Sequence, residues 1–304
     1  MATAPESSLS SRERLKELLE IRCGHLLPLH PSQRKMWVFE QLFPGRDDFN
    51  VCFCVDLQGA LDEAQAFAYF EQLCQRHRLL GARLKMRQGQ PWLRLEVEPS
   101  RMFGYHPQSL HWTDQQLDEH LQALCRLPLS LQDEVLTQID WFCRPSGGCL
   151  VWRVHHALID AWSLSILVSD WITLASGRPL GPNPVSYLEY IHWCEQHLQT
   201  SAGQASQAYW ASRVEQVERQ THRLALPRGS DCGTLPLRLS EAISEAVRQL
   251  ALRLQTTPSC LLMAAYVASL AQVFEGSSLA LCVPAAGRSQ TRFEQTVGAF
   301  LSPL

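Results

Sequence analysis

The sequence lacks several patterns that would place it in a familiar class of protein. It contains no Cys-x-x-Cys pair with a matching second pair, no His-Glu-x-x-His motif and no Gly-x-Ser-x-Gly motif. Neither a metal site nor a serine-hydrolase nucleophile is therefore expected. No long basic run accompanies the net charge of −3, so nucleic acid is not an expected partner.

Apolar segments of membrane length are also missing. No apolar run is long enough to cross a bilayer, and residues 1–12 are mostly polar, without the apolar core of a signal peptide. The 11 cysteines follow no regular framework, so we expect them to be reduced. These features predict a cytoplasmic globular protein that does not contact a membrane.

Apolar side chains, in contrast, are plentiful. Hydrophobic residues make up 46% of the 304 residues and charged residues 19%, which suffices for two modest domains or one large one. Helix and strand patterns alternate up to about residue 175 and predict a mixed α/β domain. The stretch 177–184, rich in glycine and proline, indicates a linker. Beyond it, strands are predicted at Thr234–Leu239 and Ser278–Val283.

The most informative stretch surrounds two adjacent histidines. Cys149–Val154 is largely apolar and predicts a buried strand, with Gly147-Gly148 as the turn before it. His155 and His156 follow at the strand end, and Asp160 is placed to cap the next helix. Adjacent strand residues point to opposite faces, so the two histidines are not expected to share one role. A general base, a hydrogen-bond donor and a packed core histidine all remain open here.

Several motifs resemble those of one enzyme family. The segment from His155 to Ala161 reads His-His-Ala-Leu-Ile-Asp-Ala and is similar to the HHxxxDG signature of nonribosomal peptide synthetase condensation domains, members of the chloramphenicol-acetyltransferase-like superfamily. Further similarities run from about residue 25 to residue 304. They are Pro28–Gln33 with Met36-Trp37, Phe49-Asn50, Gly59–Asp62, Arg76-His77, Tyr209-Trp210, Leu226-Pro227, Pro284–Arg288 and Val297–Phe300.

The resemblance implies an α/β fold in which two chloramphenicol-acetyltransferase-like lobes form a pseudodimer with a tunnel between them. Residues 25–176 correspond to a complete first lobe, which carries the histidine pair. Residues 177–304 correspond to a partial second lobe, because the chain ends where the family continues, as expected of a C-terminally truncated member. The residues themselves predict an N-terminal tail at 1–24 that contains a short helix, either a simple surface helix or a docking element for an upstream protein.

The resemblance also implies a reaction, in which the amine of a downstream aminoacyl thioester attacks an upstream acyl or peptidyl thioester and forms an amide. Partner carrier proteins in a modular synthetase hold both thioesters on phosphopantetheine arms, so we expect no cofactor bound by this chain. His156 is the implied catalytic residue, as proton acceptor or as the group that orients the amine. Asp160 is expected to pair with Arg288 and to be structural. The supporting residues expected at the site are His155, Asp160, Ala161, Trp162, Ser163 and Arg288.

The chain also departs from the family pattern. Ala161 stands where the family has glycine, and alanine would be strained if that position required a positive φ. Arg78 and Gly81 replace the Glu and Arg of the family's RHExLR motif, and Ser302-Pro303 replaces its Asn-Thr. These departures leave three alternatives open: a non-catalytic docking platform, a degenerate chain that is inactive alone, and a stand-alone acyltransferase.

Overall fold

A computed structural model of the chain describes residues 19–96, 98–133, 135–220, 236–273 and 281–303. The helices are α1 (Pro31–Leu42), α2 (Glu63–Arg76), α3 (Asp114–Cys125), α4 (Ala161–Ala175), α5 (Tyr187–Gln199), α6 (Ser201–Gln220), α7 (Glu241–Arg253) and α8 (Pro258–Val273). The strands are β1 (Leu26–Pro28), β2 (Asn50–Gln58), β3 (Ala82–Arg87), β4 (Gln90–Leu95), β5 (Phe103–His106), β6 (Thr137–Arg144), β7 (Gly147–His155), β8 (Pro284–Ala285) and β9 (Ser302–Pro303). The α/β class predicted from the sequence is confirmed.

Most of the predicted N-terminal tail, residues 1–18, lies outside the described residues, and so does most of its candidate docking helix. Residues 19–22 are helical. Gly24 follows with a φ of 69° and ends the helix, because glycine enters the left-handed region without steric penalty.

The strand that leads to the histidines lies inside the largest sheet of the described residues. That sheet has 4 strands in the order β2-β7-β6-β5. β7 is antiparallel to both β2 and β6, whereas β5 is parallel to β6. A 3-stranded sheet, β1-β4-β3, and the short pair β8-β9 complete the set. With neighbours on both edges and both faces covered, β7 can be apolar along nearly its whole length.

Aromatic side chains hold helices α2 and α4 against one face of this sheet. Trp152 of β7 contacts Phe70 of α2, with ring centroids 6.4 Å apart. Trp141 of β6 stacks on Trp171 of α4 at 6.1 Å. All four side chains are almost fully buried, and burying a side chain of the size of Phe contributes roughly 1.5–3 kcal/mol to stability. This packing fixes the end of β7, where the histidines lie.

The predicted turn at Gly147-Gly148 is wrong, because both glycines are strand residues at the start of β7. A Cβ added to Gly148 would overlap the indole ring of Trp141, and one added to Gly147 would overlap the carbonyl oxygen of Leu57. Glycine is required here by the close approach of neighbouring strands. The turn itself is shorter and lies at residues 145–146.

One pair of cysteines is oxidised, contrary to the expectation of reduced thiols. Cys52 of β2 and Cys125, the last residue of α3, form a disulfide that spans a sequence separation of 73. It ties α3 to the sheet face where Leu117 of α3 packs with Phe142, Cys149 and Val151 in a small apolar cluster. No spacing pattern in the sequence predicts this disulfide, because its two cysteines belong to separate elements.

The chain divides into two compact units, Met1–Gln196 with Pro284–Leu304 and His197–Val283. The first unit is larger than the predicted first lobe, which ends at residue 176. Tyr187 and Tyr190 of α5 are in ring contact with Phe300 at 5.3 and 4.2 Å. These contacts explain why residues beyond the predicted linker belong to the first unit. The two-lobe pseudodimer remains a prediction.

The helical residues of the second unit, where the structure describes it, are the last three of α5 together with α6, α7 and α8. Ser240 caps α7, and its hydroxyl accepts a hydrogen bond from the backbone N–H of Ile243 at 3.4 Å. The strand predicted at 234–239 is wrong over its described residues, which are irregular, and Leu237 is 85% exposed. Residues 281–283 are not a strand either. The remaining parts of both predicted strands, 234–235 and 278–280, lie outside the described residues.

The described helices are short or polar relative to a membrane span. None of them is by itself both long and apolar enough to cross a bilayer. Glu241–Arg253 and Pro258–Gln272 meet the criterion only when taken together, and a bend of 105° separates them.

Candidate active site

His156 lies just beyond β7, in the turn that leads towards α4. Its backbone N–H donates to the carbonyl oxygen of Phe49 at 2.8 Å, and the backbone N–H of Leu158 donates to the carbonyl oxygen of His155 at 2.9 Å. The His156 side chain is partly buried, and its Nδ1 is buried without a hydrogen-bond partner among the described residues. The backbone is therefore fixed, while the imidazole makes no hydrogen bond to the described part of the chain.

His155 is fully buried and is held at both ring nitrogens. The backbone N–H of Ala157 donates to Nδ1 at 3.0 Å, so Nδ1 is the unprotonated nitrogen. Nε2–H then donates to Oε1 of Glu40 at 2.6 Å. These contacts give the two histidines different environments, as expected, and the purely structural role of His155 remains a prediction.

Glu40, on α1, is the partner that fixes this tautomer. Its Oε2 accepts hydrogen bonds from the backbone N–H of Leu131 at 2.9 Å and from the hydroxyl of Ser130 at 3.0 Å. Burial raises the pKa of Glu40, but the hydrogen bonds from His155, Leu131 and Ser130 outweigh burial and lower the pKa overall. Glu40 is thus a carboxylate at neutral pH.

The start of α1 holds the other side of the segment 156–160 between β7 and α4, called the histidine loop below. Gln33, which is fully buried, donates from Nε2 to the carbonyl oxygen of Ala157 at 2.6 Å. Its Oε1 accepts from the backbone N–H of His30 at 2.8 Å. His30 in turn caps α1, since its Nδ1 lies 3.4 Å from the backbone nitrogen of Ser32. Both ends of α1 therefore contribute to the position of the loop.

The His30 cap predicts a pH dependence of stability. Burial, together with the charge of Lys35, lowers the pKa of His30 to about 4, against about 6.5 in an unfolded chain. As the pH falls, the unfolded chain binds this proton at a higher pH than the folded protein does. Stability is therefore retained above about pH 6.5 and lost as the pH falls towards the folded pKa. We expect a loss on the order of 3 kcal/mol over this window, measured by urea unfolding at several pH values.

His30→Asn should remove most of this dependence, because asparagine caps helices well and does not titrate. His192→Asn, on the exposed side of α5, is the matched control and should leave the slope unchanged. Equal pH slopes for wild type and His30→Asn would contradict the assignment.

Asp160 caps α4, as the sequence predicts. Its Oδ1 accepts the backbone N–H of Ser163 at 2.7 Å, and the Ser163 hydroxyl lies 2.7 Å from the same oxygen. Oδ2 accepts the backbone N–H of Phe300 at 3.3 Å. With the carboxylate 2% exposed, these donors replace the water that it loses on burial.

Arg288 is the charged partner of Asp160, as the resemblance implies. Its Nη2 lies 3.1 Å from Oδ1 of Asp160, and the side chains are 3% and 2% exposed. Nη1 donates to the carbonyl oxygens of Phe293 at 2.8 Å and Thr296 at 2.7 Å. The guanidinium carbon stands 3.8 Å from the ring centroid of Phe300. Burial lowers the pKa of Arg288, and the neighbouring Asp160 opposes that shift.

Two glycines let the C-terminal segment approach this ion pair. Gly287 has a φ of 68°, and a Cβ there would overlap the carbonyl oxygen of Phe300. A Cβ at Gly298 would overlap the ring of Tyr187. The backbone N–H of Gly298 donates to the Ser163 hydroxyl at 3.0 Å. The motifs matched at residues 284–288 and 297–300 thus meet the start of α4.

The remaining site residues occupy the first turn of α4. Ala161 is exposed and is the first helical residue. It is not among the described residues with positive φ, so replacing the family's glycine by alanine creates no backbone strain. Trp162 is 48% exposed and donates from Nε1 to the carbonyl oxygen of Glu294 at 2.9 Å. The Ser163 hydroxyl also accepts from Nη2 of Arg288 at 3.0 Å.

The Arg76-His77 match forms a separate structural cluster in the first unit. Arg76 and His77 both contact Asp170 of α4, at 2.9 and 2.8 Å. They line a cavity of about 280 Å³ whose walls do not include His156. Arg78 is exposed and Gly81 buried, so the two departures in this motif lie outside the histidine loop.

Two residues of the site were not singled out by the sequence. Gln33 belongs to a matched motif but carried no assigned role, and Glu40 lies outside every matched motif. The helical spacing of the two on α1 is the signal that could have found them, since it places them on one face about two turns apart. Among the described residues, no group of three or more His, Cys, Asp or Glu side chains could hold a metal ion.

Comparison with known proteins identifies the family. The family model described as "Condensation domain" matches residues 24–304. The chain therefore belongs to the condensation-domain family, whose members are amide-forming acyltransferases.

The relatives include surfactin synthase subunit 1 of Bacillus subtilis (strain 168), which is 23% identical over 287 residues, or 91% of this chain and 8% of that protein. Among solved structures, SgcC5 from Streptomyces globisporus matches with a TM-score of 0.74 and 20% identity, over 91% of this chain and 67% of SgcC5. The first condensation domain of the calcium-dependent antibiotic synthetase matches with a TM-score of 0.74 and 18% identity, over 92% of this chain and 68% of that domain. The chain thus spans less than a tenth of the synthetase subunit.

Proposed function

We propose that this chain catalyses amide formation between an upstream acyl or peptidyl thioester and a downstream aminoacyl thioester in nonribosomal peptide biosynthesis. The observation that carries the proposal is the imidazole of His156, which makes no hydrogen bond within the described residues although the backbone around it is fixed on both sides. Membership of the condensation-domain family supports the reaction class.

His156 acts on the attacking amine in this proposal. Its Nδ1 is buried, so Nε2 is the ring nitrogen that meets the substrate. As the amine nitrogen forms a bond to the thioester carbon, His156 accepts or orients the amine proton. The C–S bond then breaks, and the departing thiolate takes up a proton. Such acid–base assistance contributes roughly 10²- to 10⁴-fold in rate.

Asp160 and Arg288 support the site without touching the reacting atoms. Their buried ion pair joins the start of α4 to the segment that contains Phe293 and Phe300. The role proposed for them is to keep the turn that carries His156 in a single conformation, because a displacement of about 1 Å at a reacting group can lower the rate roughly 10²-fold.

The proposed partners are carrier proteins whose phosphopantetheine arms present both thioesters, and other modules of a synthetase. Tethering the two reactants supplies proximity, which can contribute about 7–11 kcal/mol in ideal cases. The arms belong to the partners, so the chain needs no cofactor of its own in this scheme.

An assay with two loaded carrier proteins tests the proposal. One carrier holds a donor acyl or aminoacyl thioester, the other an aminoacyl acceptor, and mass spectrometry follows transfer to the acceptor. A complete condensation domain serves as positive control. Amide product from the folded 304-residue chain supports the proposal.

The other outcomes of this assay discriminate between the alternatives. Binding of both carriers without product, while the control makes product, would contradict catalysis and favour a docking platform. In a parallel reaction a coenzyme A thioester replaces the donor carrier, and product formed only there would instead indicate a stand-alone acyltransferase.

A further inference from the structure

Helix α1 holds the histidine loop at two points. Gln33 binds the carbonyl oxygen of Ala157, the residue after His156, and Glu40 binds the ring of His155, the residue before it. Both side chains come from one face of α1, about two helical turns apart. The partners are distant in sequence, with separations of 124 and 115 residues.

The Glu40 carboxylate is itself immobilised. Its two oxygens receive three hydrogen bonds, from His155, Leu131 and Ser130. The carboxylate is almost fully buried, and charge-assisted hydrogen bonds are about twice as strong as neutral ones. The His155 ring, bound at Nδ1 by Ala157 as well, is therefore fixed in both rotamer and tautomer.

His156 has no comparable support of its own. Its side chain makes no hydrogen bond within the described part of the chain, so its position depends on the backbone between His155 and Ala157. Both of those residues are fixed by α1 and by each other, through the hydrogen bond from the Ala157 N–H to His155 Nδ1. A shift of the His155 ring would therefore move the peptide that carries His156.

We propose that Glu40 is a positioning residue, which sets the direction of the His156 imidazole through the buried His155. The inference rests on the catalytic role proposed for His156 but makes a separate claim about geometry. Glu40 touches no substrate atom in this scheme. It holds the neighbouring histidine so that the His156 imidazole meets the attacking amine with little reorganisation.

Two substitutions separate positioning from simple structural support. Glu40→Gln keeps the shape and an amide oxygen that accepts the His155 Nε2–H, while its NH2 replaces the oxygen that accepts the Leu131 N–H. The loss of that acceptor is common to both variants, so the two differ in whether His155 keeps its acceptor. Glu40→Leu has a similar volume but no acceptor. We expect Glu40→Leu to lower kcat roughly 10- to 100-fold per folded molecule at unchanged KM, and Glu40→Gln to restore kcat to within a few-fold of wild type. Gln41→Leu, at an exposed position of the same helix, is the matched control and should change neither parameter.

A second readout does not depend on turnover. In protein labelled with ¹⁵N-histidine, the imidazole resonances of His156 should shift or broaden in Glu40→Leu and stay near their wild-type values in Glu40→Gln and Gln41→Leu. This measurement decides the geometric claim even if wild-type protein makes no amide, the result that would defeat the proposed function alone. Wild-type His156 resonances in a folded Glu40→Leu protein would overturn the inference. The inference would also be overturned if Glu40→Leu and Glu40→Gln lost the same fraction of kcat and this fraction equalled the fraction of unfolded protein.

Discussion

Replacing His156 by alanine is expected to lower amide formation roughly 10²- to 10⁴-fold while the protein remains folded. The His156 side chain makes no hydrogen bond within the described residues, so its removal strands no buried partner. The measurement is the two-carrier assay, together with circular dichroism to establish that the variant is folded.

The neighbouring histidine provides the contrast. His155→Ala should mainly reduce stability, since it removes a fully buried ring and leaves the Glu40 carboxylate without one of its donors. Because the same ring positions His156, kcat should also fall, by about the 10- to 100-fold expected of Glu40→Leu and by less than in His156→Ala. His192→Ala, at an exposed position of α5, should change neither activity nor stability. Undiminished product from a folded His156→Ala protein would remove His156 from the mechanism.

Replacing Asp160 by alanine is expected to destabilise the first unit by roughly 3–5 kcal/mol. The change leaves the buried Arg288 guanidinium without its counter-charge, and it also removes the cap that accepts the Ser163 N–H. Losing a helix cap alone typically lowers stability by about 1 kcal/mol. Chemical unfolding followed by tryptophan fluorescence measures the effect, because Trp141 and Trp152 lie in the core of this unit.

An exposed carboxylate in the same unit is the control for this experiment. Asp48 pairs with Arg46 at the surface, and exposed ion pairs contribute little to stability. Asp48→Ala should therefore unfold at the same denaturant concentration as the wild-type protein. Identical unfolding curves for Asp160→Ala and wild type would contradict the stabilising role of the buried pair.

The parts of the site that depend on local sequence were predictable. Apolar residues before His155 predict the strand, and Asp160 at the start of an apolar helix predicts the cap, because both signals lie within a few residues of the feature. The pair of Asp160 and Arg288 spans 128 residues. Only the family resemblance predicted it, since no local pattern encodes such a contact.

Glu40 illustrates why other residues of the site could not be predicted from the sequence. A glutamate in an amphipathic helix usually indicates a solvated position, and its partner His155 lies 115 residues away. Only the fold brings the two together. Gly147-Gly148 was misinterpreted for a related reason, since a glycine pair favours a turn locally whereas the overlap with Trp141 is a property of the assembled sheet.

Long-range contacts of the same kind explain why the boundary between the units differs from the predicted one. Glycines and prolines at 177–184 correctly indicate irregular chain. The aromatic contacts of Tyr187 and Tyr190 with Phe300 nevertheless keep the following helix, α5, in the first unit up to Gln196. Composition marks where regular structure stops, but packing decides which unit a segment joins.

The sequence separation of the Asp160–Arg288 pair has a consequence for synthesis on the ribosome. Asp160 is made 128 residues before its partner, an interval of roughly 6–26 s at about 5–20 residues per second. Throughout that interval the carboxylate must stay hydrated or bind another cation, because burying it alone is unfavourable. The loop that carries His156 can therefore reach its final conformation only after Arg288 has left the exit tunnel, long after the strands around it have emerged.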